Sequence, residues 1–182
     1  MPGASQHIIQ RTRGNALCFS SALDRLLLLC ALCDSAPHYE CAVHAYALMG
    51  NHVHLLVTPD SQDGCSNLAN AVAVRYQRYA AERHGCTESV WNSVPEIHPV
   101  YARRYLFACM RYIEVNPVRA NIVARPESYR WTSYRANALG YIDPIVTPHP
   151  LYYTLGRSPE ARCAAYARFV DRGFPRPDRV SP

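Results

Sequence analysis

Gly50-Asn51-His52-Val53-His54-Leu55-Leu56-Val57-Thr58-Pro59 is the stretch on which the fold turns. Gly-Asn between two runs of strand-forming residues is a two-residue hairpin signal. The spacing predicts one strand from Cys41 to Met49 and its return from His52 to Thr58, closed by Pro59. Strand side chains alternate faces, so Val53, Leu55 and Val57 point into a core while His52 and His54 share the other face. Working outward, His7 to Gln10 reads as a strand that enters the basic turn Arg11-Thr12-Arg13-Gly14-Asn15. Ser21 to Leu32 reads as a buried helix, and Asn67 to His84 as a second one stopped by Gly85. Val100 to Val115 reads as a third, with Pro117 marking its end or a kink. The segment from Trp91 to Pro99 is ambiguous, because Pro95 and Pro99 argue against a central strand. Strand, helix, hairpin, helix predicts an α+β fold, with a ferredoxin-like (RRM-like) antiparallel sheet and helices packed on one side.

After Pro126 the texture changes to Pro, Tyr, Trp and Gly, and a helix with a Ser158-Pro159-Glu160 start follows. The chain therefore divides into a unit of residues 1–126 and a helical C-terminal extension, 127–182, packed on or beside it; the last nine residues read as frayed. At 182 residues this suits one domain with an appendage. No apolar run approaches the roughly 18–20 residues of a membrane span, and no signal peptide is evident. The expected location is the cytosol, where the eight cysteines stay reduced. Cys30-x-x-Cys33 with Cys41 and His44 invites a zinc reading, but a free cysteine beside a leucine-rich helix is more often a small hydrophobe.

The net charge is +5, and all nineteen basic residues are arginine. Codon bias explains such a composition, yet every cation is then a planar fork suited to phosphate and to base stacking. Arg75, Arg78 and Arg83 interleave with Tyr76 and Tyr79 on the middle helix, and Arg103, Arg104 and Arg111 stud the third. These are solvated helix faces or a phosphate track with stacking aromatics for single strands.

Two imidazoles roughly 7 Å apart on one strand face can share a metal ion, though such a pair alone is more often two surface histidines and does not name the metal. On the third helix Tyr112 and Asn116 are four apart and lie on one stripe. Alone they are a flanking tyrosine and a helix-ending asparagine. A phenol is a poor nucleophile at neutral pH and attacks phosphorus usefully only when the phosphate is polarised by a metal or cations. That requirement links the two segments.

Several blocks resemble the bacterial REP-associated tyrosine transposases, relatives of the single-tyrosine transposases of small insertion sequences within the His-hydrophobe-His nucleases. They are His7-Ile8-Ile9-Gln10-Arg11, His44-Ala45-Tyr46, Asn51 to Pro59, Arg75-Tyr76-Gln77-Arg78-Tyr79, Arg111-Tyr112-Ile113-Glu114-Val115-Asn116-Pro117-Val118-Arg119-Ala120, and Trp131 to Gly140. The resemblance implies cleavage of single-stranded, hairpin-forming repeat DNA through a 5′-phosphotyrosine intermediate. It implies Tyr112 as nucleophile, His52, His54 and Asn116 as metal ligands, and Mg²⁺ or Mn²⁺ as the ion. Arg11, Arg13 and Asn15 match a turn that approaches DNA, and Arg75, Arg78, Arg104, Arg111 and Arg119 join them as candidate DNA contacts. The expected assembly is a monomer or homodimer without membrane association.

One stretch departs from the family. Where Arg, an aromatic and Lys usually follow the tryptophan matching Trp91, this chain has Val94-Pro95-Glu96. That substitution predicts a weakened last strand and an altered DNA grip, and it keeps open a diverged, non-catalytic binder of structured DNA. A small hydrolase using His52, His54 and Glu114 or Asp60 is the third reading.

Overall fold

The structure, a computed structural model, describes residues 3–92, 94–101 and 103–172, with the Arg103 and Arg104 side chains left out. The early elements are β1 (Gln6–Arg11), α1 (Ala22–His38), β2 (Cys41–Leu48), β3 (His52–Pro59) and α2 (Gly64–His84). There follow β4 (Glu96–Pro99), α3 (Arg103–Arg119), α4 (Tyr134–Leu139) and α5 (Pro159–Asp171). The four strands form one sheet in the order β2-β3-β1-β4, every neighbouring pair antiparallel. This is the ferredoxin-like βαββαβ arrangement expected above.

Local chemistry explains the boundaries. Ser21 caps α1 in a capping box: its side chain accepts from the Asp24 amide, and Asp24 accepts from the Ser21 amide at 2.7 Å. Gly85, at φ 65°, takes the left-handed position that ends α2. The third helix runs past Pro117, further than its sequence suggests. A proline in the last turn removes only one backbone bond, and the end is closed by Asn121 at φ 56°. Ile122 N–H donates to Pro117 O (2.9 Å) and Asn121 N–H to Val118 O (3.0 Å), the paired bonds of a Schellman stop.

The hairpin at Gly50-Asn51 forms, but neither residue has positive φ. Its carbonyls are held from outside instead: Cys18 N–H donates to Gly50 O at 2.7 Å and Thr12 N–H to Asn51 O at 2.9 Å. The first basic turn is thereby fastened to the tip of the histidine hairpin.

Both sheet faces are covered. Ile8, Val53, Leu55 and Val57 pack with Leu28 and Leu32 of α1 and Leu68 and Val72 of α2. Each fully buried aliphatic contributes roughly 1.5–3 kcal/mol. On the opposite face Ala45, Ala47 and Leu56 meet Leu106, Met110 and Ile113 of α3 and Tyr166 and Val170 of α5. The expectation of helices on one side therefore holds for α1 and α2 and is corrected for α3. A right-handed crossover between strands fixes α1 and α2 to a common face. Helix α3 follows the last strand and is free to cover the other. A bulge at Val43/Ala45 lets β2 serve both cores, since it inverts the alternation and turns Tyr46 and Leu48 to the same side as Val43.

The doubtful segment resolves into β4, an edge strand of four residues pairing Glu96 with Ile9 and Pro99 with Gln6. An edge tolerates the prolines that a central strand would not.

Candidate active site

Strand register assembles the site. Ile9 stands opposite His54, and Arg11 opposite His52. His7, Ile9 and Arg11 of β1 thus share a face with His52 and His54 of β3, and α3 lies across that face. Asn116 Nδ2 is 3.1 Å from His54 Nε2. The Tyr112 ring meets His54 edge-on at 5.6 Å between centroids, and His7 at 6.0 Å. The four residues of the proposed chemistry, His52, His54, Tyr112 and Asn116, therefore meet at one place, where the His52 and His54 rings are 4.7 Å apart.

Burial sets the protonation of the imidazoles. His54 is 1% exposed; burial, reinforced by its neighbours His52, His7 and Arg11, pushes its pKa down to about 3. Burial and then Arg11 also lower His52. Both rings are neutral at physiological pH, the form that binds a metal. Tyr112 is 39% exposed, open enough to reach a bulky substrate. The Arg119 guanidinium lies over its ring at 5.1 Å.

Among the described residues no group of three or more His, Cys, Asp or Glu side chains is placed to hold a metal. Two neutral imidazoles and a carboxamide remain. The Asn116 amide nitrogen faces His54 Nε2 at 3.1 Å, and a half-turn of the amide group brings its oxygen, the atom that ligates a hard cation, to the same place. These residues fit. The zinc reading does not: Cys30 is exposed, and His44 uses both ring nitrogens, on Thr147 O (2.7 Å) and Thr58 Oγ1 (2.8 Å). Nor does Glu114 serve the histidines. It is fully buried, accepting from Ser133 Oγ (2.6 Å), Asn137 Nδ2 (2.7 Å) and the Tyr166 hydroxyl (2.7 Å).

The candidate DNA residues fall into separate places. Arg11 flanks His52 but is bonded to Glu96 at 2.9 Å, and Arg13 is bonded to Glu88 at 3.2 Å. Asn15 is exposed in the same turn, at φ 58°. Arg119 stands beside the phenol. Arg111 donates to Val170 O of α5 at 3.0 Å. Arg75 and Arg78 are exposed on α2, across the sheet from the histidines, and Arg75 pairs with Asp34 at 2.9 Å. The side chain of Arg104 lies outside the described residues. Two neighbours stood in the blocks quoted above without a role in the site. His7 reaches His54 through a cross-strand register that a lone histidine does not reveal, and Asn51 bonds His52 Nδ1 at 2.7 Å.

The fold matches that of a REP-associated tyrosine transposase bound to a REP hairpin, with a TM-score of 0.66 and 13% identity over 82% of this chain and 88% of that one. A Deinococcus radiodurans protein described as a candidate transposase gives a TM-score of 0.45 and 21% identity, over 60% of this chain and 88% of that one. No curated protein matches. No described helix is long and apolar enough to cross a membrane. Residues 3–116, from the first strand to the asparagine beside His54, match the sequence pattern of IS200-like transposases, and the chain belongs to that family.

Proposed function

We propose that the protein is a metal-dependent single-strand DNA endonuclease and strand transferase acting on hairpin-forming repeats. The observation that carries this reading is the convergence of His54, Asn116 and Tyr112 from two distant segments onto one face. Membership of the IS200-like family and the shared fold of a hairpin-bound relative support it.

His52, His54 and Asn116 would hold Mg²⁺ or Mn²⁺, which would supply Lewis-acid polarisation of the scissile phosphate. The Tyr112 oxygen attacks phosphorus and gives its proton to solvent, from which the departing 3′-oxygen takes one up. A new O–P bond forms as the bond to the 3′-oxygen breaks, leaving a 5′-phosphotyrosine and a free 3′-hydroxyl. Attack by a 3′-hydroxyl reverses the step and rejoins strands. Arg119, above the phenol, offers positive charge where the phosphate arrives. Arg11 does so beside His52 once released from Glu96.

The test is a covalent adduct. Labelled single-stranded hairpin repeat incubated with Mn²⁺ is expected to give a protein–DNA species stable on a denaturing gel. Tyr112→Phe abolishes the adduct and leaves hairpin binding within about twofold.

The ion pairs Arg11–Glu96 and Arg13–Glu88 favour a second reading, a binder of structured DNA that does not cut. Hairpin binding without an adduct under any divalent cation would select it.

A further inference from the structure

We propose that His7 is a positioning residue for the metal-binding imidazole: it accepts the Nδ1 proton of His54 and so fixes the tautomer that points a lone pair from Nε2. This rests on the ligand set proposed above.

His7 lies on β1, one diagonal step from His54, whose direct partner is Ile9. Its Nε2 is 3.0 Å from His54 Nδ1, and the rings are tilted by 32°. One proton joins the two nitrogens. Were His7 the donor, a neutral His54 would carry its own proton on Nε2, aimed at Asn116. No ligand lone pair would then be left on that side. The other end of the ring decides between the two. His54 Nδ1 is already engaged by His7, and Nε2 is the nitrogen that faces Asn116 at 3.1 Å; a metal shared with Asn116 takes the Nε2 lone pair, so Nδ1 bears the proton. His7 is therefore the acceptor of the His54 N–H. Metal-bound histidines are commonly held in this way by an acceptor on the second nitrogen, and losing that acceptor weakens metal affinity about 10- to 100-fold. Here the acceptor is a third imidazole, and its ring also borders Tyr112. One side chain thus sets the ligand's tautomer and supports the phenol.

The experiment measures Mn²⁺ affinity by electron paramagnetic resonance without DNA, and hairpin affinity separately in chelator. His7→Phe keeps an aromatic ring but offers no acceptor; His7→Gln restores one. The expected result is an Mn²⁺ Kd raised about 10- to 100-fold in His7→Phe and largely recovered in His7→Gln. Hairpin affinity in chelator stays unchanged, and adduct formation by His7→Phe returns at high Mn²⁺. His54→Ala separates the two levels of inference. If it abolishes Mn²⁺ binding while His7→Phe binds as wild type does, the positioning role is overturned and the ligand set stands. If His54→Ala binds Mn²⁺ normally, both are overturned. Should His7→Phe not fold, His7→Gln and His7→Asn carry the comparison, and weak Mn²⁺ binding by a folded His7→Gln overturns the acceptor argument.

Discussion

His44 occupies the extra position of the β2 bulge, and its two bonds, to Thr147 O and Thr58 Oγ1, tie the extension to β3. Burial pushes its pKa from 6.5 down to about 4. The folded protein therefore binds fewer protons than the unfolded chain between those values. The His44 contribution is complete above pH 6.5 and is lost as pH falls to about 4, a change on the order of 3 kcal/mol. Glu114 acts in the opposite sense. Burial, only partly offset by Ser133, Asn137 and Tyr166, raises it from 4.5 to about 7. Its contribution is complete below pH 4.5 and fades as pH rises to about 7. Urea melts in small pH steps are expected to show the acid-side slope falling by about one proton in His44→Gln. An unchanged slope would show that the ring titrates normally.

Among the elements, β4 carries the departure from the family, and its effect is electrostatic. Arg11 bonds Glu96 and holds its carboxyl below the usual range, while the strand itself pairs normally with β1. Exposed pairs of this kind contribute little stability, so under the proposed function the cost would fall on DNA binding: Arg11 would have to leave a carboxylate to meet a phosphate. Glu96→Gln is expected to tighten hairpin binding severalfold and to steepen the dependence of log K on log salt by about one contact. Titration at several salt concentrations checks both. The sequence made much of this legible. The Gly-Asn hairpin, the alternation of β3 and the four-residue spacing of Tyr112 and Asn116 are local patterns; that His52, His54, Tyr112 and Asn116 would meet followed only from the chemical need that joins the two segments and from the family resemblance. The bulge at His44 was not legible, because one extra residue leaves no compositional trace. Nor was the separation of Arg75 and Arg78 from the site, since which face a helix covers depends on its connections across the sheet. For the same reason the arginines read as one DNA-facing set divide among the active face, the outer face of α2 and the contact of α3 with α5.

At the scale of the molecule, the stretch beyond residue 126 supplies Tyr134, Tyr152, Tyr166 and Val170 to the core over α3. We propose that it folds as one unit with the rest. A chain ending at residue 126 leaves the Glu114 carboxylate without three donors, each loss costing about 1–3 kcal/mol, and uncovers Leu106, Met110 and Ile113. It is expected to show no cooperative thermal transition and to bind a hydrophobic dye; a sharp transition would mean that the extension is dispensable. The same stretch also runs along the outer border of β2. Leu48 N–H donates to Trp131 O, Ser133 N–H to Tyr46 O, Thr147 N–H to Val43 O, and the Asn137 amide to His44 O. Those groups would otherwise offer a ready template for another chain. The far border, β4, is four residues long and carries a charged glutamate and a terminal proline, features that blunt an edge. Neither margin invites a neighbour to continue the sheet, so two copies of this protein that associate must do so through helices and side chains, and the sheet resists the edge-to-edge stacking that leads to aggregation.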